Sequence, residues 1–271
     1  MATRKTIFVT GGGSGIGRAI ALRFAREGWF VGLGDRDDIA MAETEKLLPG
    51  GYCYSHCFDV AYRDAWDEAL RIVARASGGR IDVVANNAGI ALGGPLEEYE
   101  RDEIDRILDV NLKGAIYGAQ AAYRYLKETA PGSCLLNTAS AAAMYGAANQ
   151  SVYAATKAGV RSLTESLDAE WATAGIRVRS LMPGFIDTPL LQSPPNRKRN
   201  KLIRETVVAA GLEFTPVEEV ADVAWRAVGS DKLHHVVGKT GRRMRFAARW
   251  APAMLRRRAR ILAEASERVR T

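Results

Sequence analysis

Thr6-Ile7-Phe8-Val9-Thr10-Gly11-Gly12-Gly13-Ser14-Gly15-Ile16-Gly17, followed by Arg18 to Glu27, is the stretch that decides the fold. Its first five residues are β-branched or aromatic and run straight into glycine, the pattern of a short strand buried on both faces. After the glycines, Ile20, Phe24 and their neighbours recur at helical spacing. Strand, glycine loop and helix in that order let the backbone turn tightly and aim free N–H groups of the helix start at an anion. The stretch therefore predicts a pyrophosphate corner, with Gly11, Ser14, Gly15, Ile16 and Gly17 around it.

Working outward, Phe30 to Gly34 reads as a second strand, and Asp35 stands at its end, 18 residues after Gly17. An acid at that distance accepts hydrogen bonds from adenosine ribose hydroxyls and repels a 2′-phosphate. This favours NAD over NADP, although Arg36 beside it could welcome the phosphate. The alternation continues with a helix over Asp38 to Leu48 and a strand over Tyr52 to Phe58 that ends at Asp59-Val60. A helix over Asp64 to Ala76 and a strand over Ile81 to Ala85 lead into Asn86-Asn87-Ala88-Gly89. One long helix is expected from Glu100 to Glu128, with Asn111 in its middle, where a poor helix former needs a packing or functional reason. Strands over Ser133 to Thr138 and Ile176 to Met182 complete six repeats. The right-handed crossover rule makes this an α/β fold, a single Rossmann-type doubly wound parallel sheet with helices on both faces. Ligands then lie past the carboxyl ends of its strands, where Gly15, Asp35, Asp59, Asn87, Ser140 and Phe185 fall.

Between Asn137 and Lys157 the chain offers a hydroxyl, a phenol and an ammonium: Ser140, Tyr153 and Lys157. With a helix opening near Ser151, Tyr153 and Lys157 share one face. A close cation in a partly dry cleft favours the phenolate. The phenol is then expected to be drawn below its ordinary value of about 10 and to exchange a proton with an alcohol or carbonyl near neutral pH. Ser140 could hydrogen-bond the same oxygen.

The 271 residues, 47% hydrophobic and 25% charged, have a globular composition and suit one large domain. Three cysteines without a signal-like N-terminus point to a reducing compartment, the cytoplasm by default. No segment reads as a membrane span. Cys53, His56 and Cys57 cluster on one strand, but alternation puts His56 opposite both cysteines, so no metal site is expected. The net charge of +7 resides in the tail, since residues 232–271 hold 12 Lys and Arg against 2 Glu.

Several motifs, in order, resemble the short-chain dehydrogenase/reductase family from Lys5 to Asp231. They are Thr10-Gly11-x-x-x-Gly15-Ile16-Gly17, Asn86-Asn87-Ala88-Gly89, the set Asn111, Ser140, Tyr153 and Lys157, and Pro183-Gly184-Phe185-Ile186-Asp187-Thr188. The resemblance implies an enzyme transferring hydride between a nicotinamide cofactor and a CH–OH group. It makes Tyr153 the general acid/base and Lys157 the residue that lowers its pKa and holds the nicotinamide ribose. Ser140 would orient the carbonyl, and Asn111 would fix a water that passes protons towards Lys157. Asp59 and Val60 would contact the adenine, Asn87 with Ala88 and Gly89 the ribose region, and Pro183, Gly184, Ile186 and Thr188 the nicotinamide end. A homodimer or homotetramer is implied as well. After Asp231 the pattern departs, because His235-Val236-Val237-Gly238 leads into a basic extension. This leaves the tetramer contacts open and speaks against a fatty-acid-type ketoacyl reductase.

Ala91, Leu92, Ala141, Ala142, Met144, Tyr145, Phe185, Leu190 and Leu191 are the expected substrate walls, and their apolar character suggests a hydrophobic alcohol or ketone. Residues 192–216, with the run Arg197-Lys198-Arg199-Asn200-Lys201, read as a mobile lid. Residues 1–240 are taken as the catalytic domain and 241–271 as a basic amphipathic helical extension. In that extension Leu255, Ala259, Leu262, Ala265 and Val269 fall at helical spacing, and Pro252 serves as a first helical residue. It is expected to pack on protein, with contact to an anionic membrane surface as the lesser alternative. No nucleic-acid motif is present.

Overall fold

The computed structural model describes residues 4–209 and 211–268, with side chains described to Ile261. The chain runs β1 Thr6–Thr10, α1 Gly15–Arg26, β2 Phe30–Asp35, α2 Asp38–Glu45, β3 Cys53–Cys57, α3 Arg63–Ala76 and β4 Val83–Asn86. It continues with α4 Arg101–Leu108, α5 Gly114–Glu128, β5 Cys134–Thr138, α6 Ser151–Trp171, β6 Arg177–Pro183, α7 Ile203–Ala209, α8 Val217–Val228, β7 His234–Val237, α9 Lys239–Trp250 and α10 Pro252–Arg268. The strands form one sheet in the order β3-β2-β1-β4-β5-β6-β7, with every neighbouring pair parallel. Strand order reverses between β1 and β4, so the carboxyl ends there splay apart and open a crevice.

Strand alternation divides the core into two layers. Ile7 and Val9 of β1 join Val31, Leu33, Ile20 and Phe24 on one face. Phe8 joins Trp66, Leu70 and Val73 on the other. Phe8 is fully buried, and burial of such a side chain stabilises by about 1.5–3 kcal/mol. Glycine at 32 and 34 makes room for it, since a Cβ at either position would come within 2.9 Å of the Phe8 ring and 2.5 Å of Val73 or Phe58.

The structure differs from the sequence expectation in several places, among them helix α7 within the expected lid and helix α8 where no element was expected. A seventh strand, His234–Val237, extends the sheet beside β6. It escapes a reading of hydrophobic runs because it is four residues long, opens with two histidines and is only half-buried. The single helix expected from Glu100 to Glu128 is two helices joined by a π-helical turn at Asp109–Lys113, which contains Asn111. The tail forms two helices rather than one, with Pro252 opening the second. Helix α9 packs on β7 through Gly241, where a Cβ would stand 2.9 Å from Val236. The side chains of Leu262 and Ala265 and the whole of Val269 lie outside the described residues.

Candidate active site

At the first strand end the backbone turns through Gly11 and Gly15, with φ of +67° and +51°, conformations that side chains with a Cβ rarely adopt. Gly17 is needed for close packing, since a Cβ there would lie 2.0 Å from the Gly11 carbonyl oxygen. Ser14 caps α1 without spending its hydroxyl on the helix. The corner thus offers the dipole end of a 12-residue helix and a backbone free of side chains, a cradle that suits a pyrophosphate. Asp35 closes it from β2: one carboxylate oxygen accepts the Gly13 N–H at 3.0 Å and the other accepts the Arg36 and Asp37 N–H groups at 2.8 and 3.2 Å. Asp59, at the end of β3, is partly buried, which opposes its ionisation. The Ala61 N–H at 2.9 Å and the Arg106 guanidinium at 2.7 Å outweigh that and hold it below the usual carboxylate range.

The β5 end and the first turns of α6 bring together the hydroxyl, phenol and ammonium. Ser140 stands close enough to the Tyr153 phenol to favour its ionised form, and Ser140 Oγ accepts the Ala142 N–H at 3.1 Å. Lys157 is 5% exposed. Its Nζ donates to the Thr138 carbonyl at 2.9 Å and lies 5.9 Å from the centre of the Tyr153 ring. Burial lowers the Lys157 pKa to about 8. Burial also raises the Tyr153 phenol, with Ser140 pulling the other way. This corrects the expectation of a phenol drawn down by its neighbour: burial outweighs the help from Ser140, and the ammonium donates to the Thr138 carbonyl.

Asn111 sits behind the cleft wall rather than in it. From the π-helical turn its amide accepts the Ile90 N–H at 2.8 Å and donates to the Ile90 carbonyl at 2.9 Å, fixing the loop after β4. Gly89 lets Asn111 and Lys157 approach, since a Cβ at 89 would stand 3.2 Å from Asn111 Oδ1 and 3.3 Å from Lys157 Nζ. On the other side of that loop, Asn87 donates to the Thr10 carbonyl at 3.0 Å and accepts from the Thr138 hydroxyl at 3.2 Å. The ends of β1, β4 and β5 are thereby tied together across the point where strand order reverses.

One cleft of about 820 Å³ joins these parts. Every residue expected to hold the dinucleotide lines it except Gly17, and so do the expected substrate-wall residues other than Tyr145 and Met144. Met144 packs beside Ala115, Val160 and Met182 instead. The reading missed Ile90, Gln150, Ile203 and, above all, Thr240 and Met244, which α9 contributes to the cleft. Treating the tail from residue 241 as a separate extension hid Met244, and its helical spacing with Ala247 and Ala248 was the available signal. Across the cleft, the lid segment is strapped to the loop and helix after β4 by three ion pairs. Arg199 meets Glu98 at 2.8 Å, Lys198 meets Glu100 at 2.7 Å and Arg197 meets Asp102 at 2.6 Å. Its basic run therefore faces acids of the same chain. Cys53 and Cys57 lie on edge strand β3 and do not line the cleft, and among the described residues no three His, Cys, Asp or Glu side chains group as a metal site.

Known proteins fit this geometry. An uncharacterised oxidoreductase of Staphylococcus aureus is 35% identical over 210 residues, covering 78% of this chain and 90% of that protein. A 3-oxoacyl-[acyl-carrier-protein] reductase of Thermotoga maritima is 35% identical over 239 residues, 87% of this chain and 94% of that one. Ketoacyl reductases, which the departing C-terminus disfavoured, are thus among the relatives. The structure of a short-chain dehydrogenase/reductase from Burkholderia phymatum in complex with NAD superposes with a TM-score of 0.78 at 25% identity, covering 86% of this chain and 88% of that one. Residues 5–199 match the family described as short chain dehydrogenase, a span that takes in the glycine corner, the phenol, the ammonium and the strap. The chain belongs to the short-chain dehydrogenase family.

Proposed function

We propose that this protein is an NAD-dependent oxidoreductase that interconverts a hydrophobic secondary alcohol and its ketone. The observation that carries the reading is the convergence of Ser140, Tyr153 and Lys157 on a cleft whose other end is closed by Asp35. NAD, when bound, supplies the hydride acceptor, and the protein supplies position and a proton. Gly11 to Gly17 would hold the pyrophosphate, Asp35 the adenosine ribose, and Pro183 to Thr188 the nicotinamide end. Ser140 would hold the substrate oxygen by hydrogen bond while Tyr153 gives that oxygen a proton in reduction or takes one in oxidation. Burial favours the protonated phenol, so its proton-accepting role in oxidation would gain as pH rises. The apolar walls support a hydrophobic substrate. The Thermotoga maritima relative is named as a 3-oxoacyl-[acyl-carrier-protein] reductase, and the Burkholderia phymatum structure holds NAD. The working form would be a cytoplasmic homodimer or homotetramer.

A second reading, an NADP-dependent ketone reductase, rests on Arg36, which also lines the cleft. Turnover of a panel of ketones and alcohols with both cofactors, followed by nicotinamide absorbance, separates the two. The expected result is a preference for NAD of at least tenfold in kcat/KM, about 1.4 kcal/mol, that Asp35→Ala erases. Tyr153→Phe should keep cofactor binding and lose at least about a hundredfold in kcat. Retention of more than a tenth of wild-type kcat refutes the role given to the phenol.

A further inference from the structure

Helices α9 and α10 carry an unusual surface. From Lys232 to Ala263 the chain has ten Lys and Arg and no Asp or Glu. Helix α9 turns Gly241 and Ala247 inward, while Phe246 and Trp250, one turn apart, are 67% and 68% exposed. Helix α10 continues the pattern with Met254 and Ile261 more than half exposed. Arg242, Arg249, Arg257 and Arg258 stand on the same exposed faces, with the Arg249 guanidinium 5.2 Å from the Trp250 ring. Lys239 and Arg242 pair with Glu213 and Glu219 of the body. The remaining arginines up to Arg260 have no described acid within ion-pair distance.

We infer that this α9–α10 face docks the protein on an anionic lipid surface. The occupant follows from charge and shape. A basic field without acids from Lys232 to Ala263 seeks an anionic partner, and aromatic and aliphatic side chains spread among arginines suit the headgroup boundary, where rings and methyl groups enter and guanidiniums stay at the phosphates. A second copy of the chain is disfavoured, because a two-fold contact through this face would set arginines against arginines. A nucleic-acid strand could stack on Phe246 and Trp250 but would leave the exposed aliphatic Met254 and Ile261 without a partner. No described helix is long and apolar enough to cross a membrane, so the contact lies at the surface. Since α9 also contributes Thr240 and Met244 to the cleft wall, docking brings that wall to the lipid boundary.

The test is sedimentation of the full chain with vesicles of phosphatidylcholine alone and of equal parts phosphatidylcholine and phosphatidylglycerol. Each arginine near such a surface adds roughly fivefold in partitioning, so binding to the anionic vesicles should be at least tenfold tighter and should weaken with salt. Phe246→Ser with Trp250→Ser, and separately Arg256→Glu with Arg257→Glu and Arg258→Glu, should each reduce it at least tenfold while melting temperature and turnover of a water-soluble ketone stay unchanged. Equal partitioning of the wild type on both vesicles overturns the inference, as does wild-type partitioning by both variants. Loss of oligomeric mass by the variants without vesicle binding by the wild type also overturns it, in favour of a subunit interface. Binding of single-stranded oligonucleotide in place of vesicles overturns it in favour of a nucleic-acid surface.

Discussion

Lys157 gives up its proton near 8 because its ammonium is buried with the Thr138 carbonyl as acceptor. The unfolded chain keeps that proton to about 10.5. Between these values folding releases a proton, so the share of stability set by Lys157 rises with pH across the window from about 8 to about 10.5, and below it the buried charge is a cost. The expected outcome, read by urea denaturation with Lys157→Met as reference, is that wild type gains on the variant between neutral pH and pH about 10, by on the order of 3 kcal/mol at most. A difference independent of pH would show the ammonium to be stabilised where it sits. That Asp35, Ser140, Tyr153 and Lys157 would meet in one cleft was legible at this scale from strand ends, helical spacing and the resemblance together. The direction of the Tyr153 shift was not, because spacing places two side chains on one helix face and says nothing of which acceptor the ammonium finds.

The π-helical turn at Asp109–Lys113 shows what an element can hide. Helical periodicity over residues 100–128 is real, and one extra residue in a turn leaves it almost unchanged, so the sequence reads as one helix. The clue was Asn111 itself, a polar residue that the turn buries to 2% exposure and aims at Ile90. Asn111→Leu keeps the volume and leaves both polar groups of Ile90 without their partners. Unfolding free energy should fall by about 2–3 kcal/mol, seen as a lower urea midpoint at unchanged slope. A loss under about 0.5 kcal/mol would mean that the amide clamp is dispensable. Strand β7 was missed for the complementary reason: its order comes from pairing with β6, a long-range contact, and its own residues announce no strand.

Over the whole molecule, the layered sheet with its crevice was legible because each repeat of strand and helix announces itself locally and the crossover rule fixes their assembly. The docking of α9 against β7 was not, since small residues such as Gly241 and Ala247 carry little hydrophobic signal. The charge division that the sequence shows survives in three dimensions: residues 1–240 carry 28 Lys and Arg against 29 Asp and Glu, and α9–α10 carry the surplus. Replacing Arg256, Arg257, Arg258 and Arg260 by Gln is expected to change stability by no more than about 0.5 kcal/mol and to bring elution from a cation exchanger to much lower salt. Unchanged elution would mean that the surplus charge is masked. A body near neutrality with a strongly positive end is also a dipole, and a dipole turns before it touches. Within about 10 Å of a negative surface, the screening distance at ordinary ionic strength, such a molecule feels a torque as well as a pull. It arrives tail first, so its orientation on landing is set by its field before any side chain makes contact.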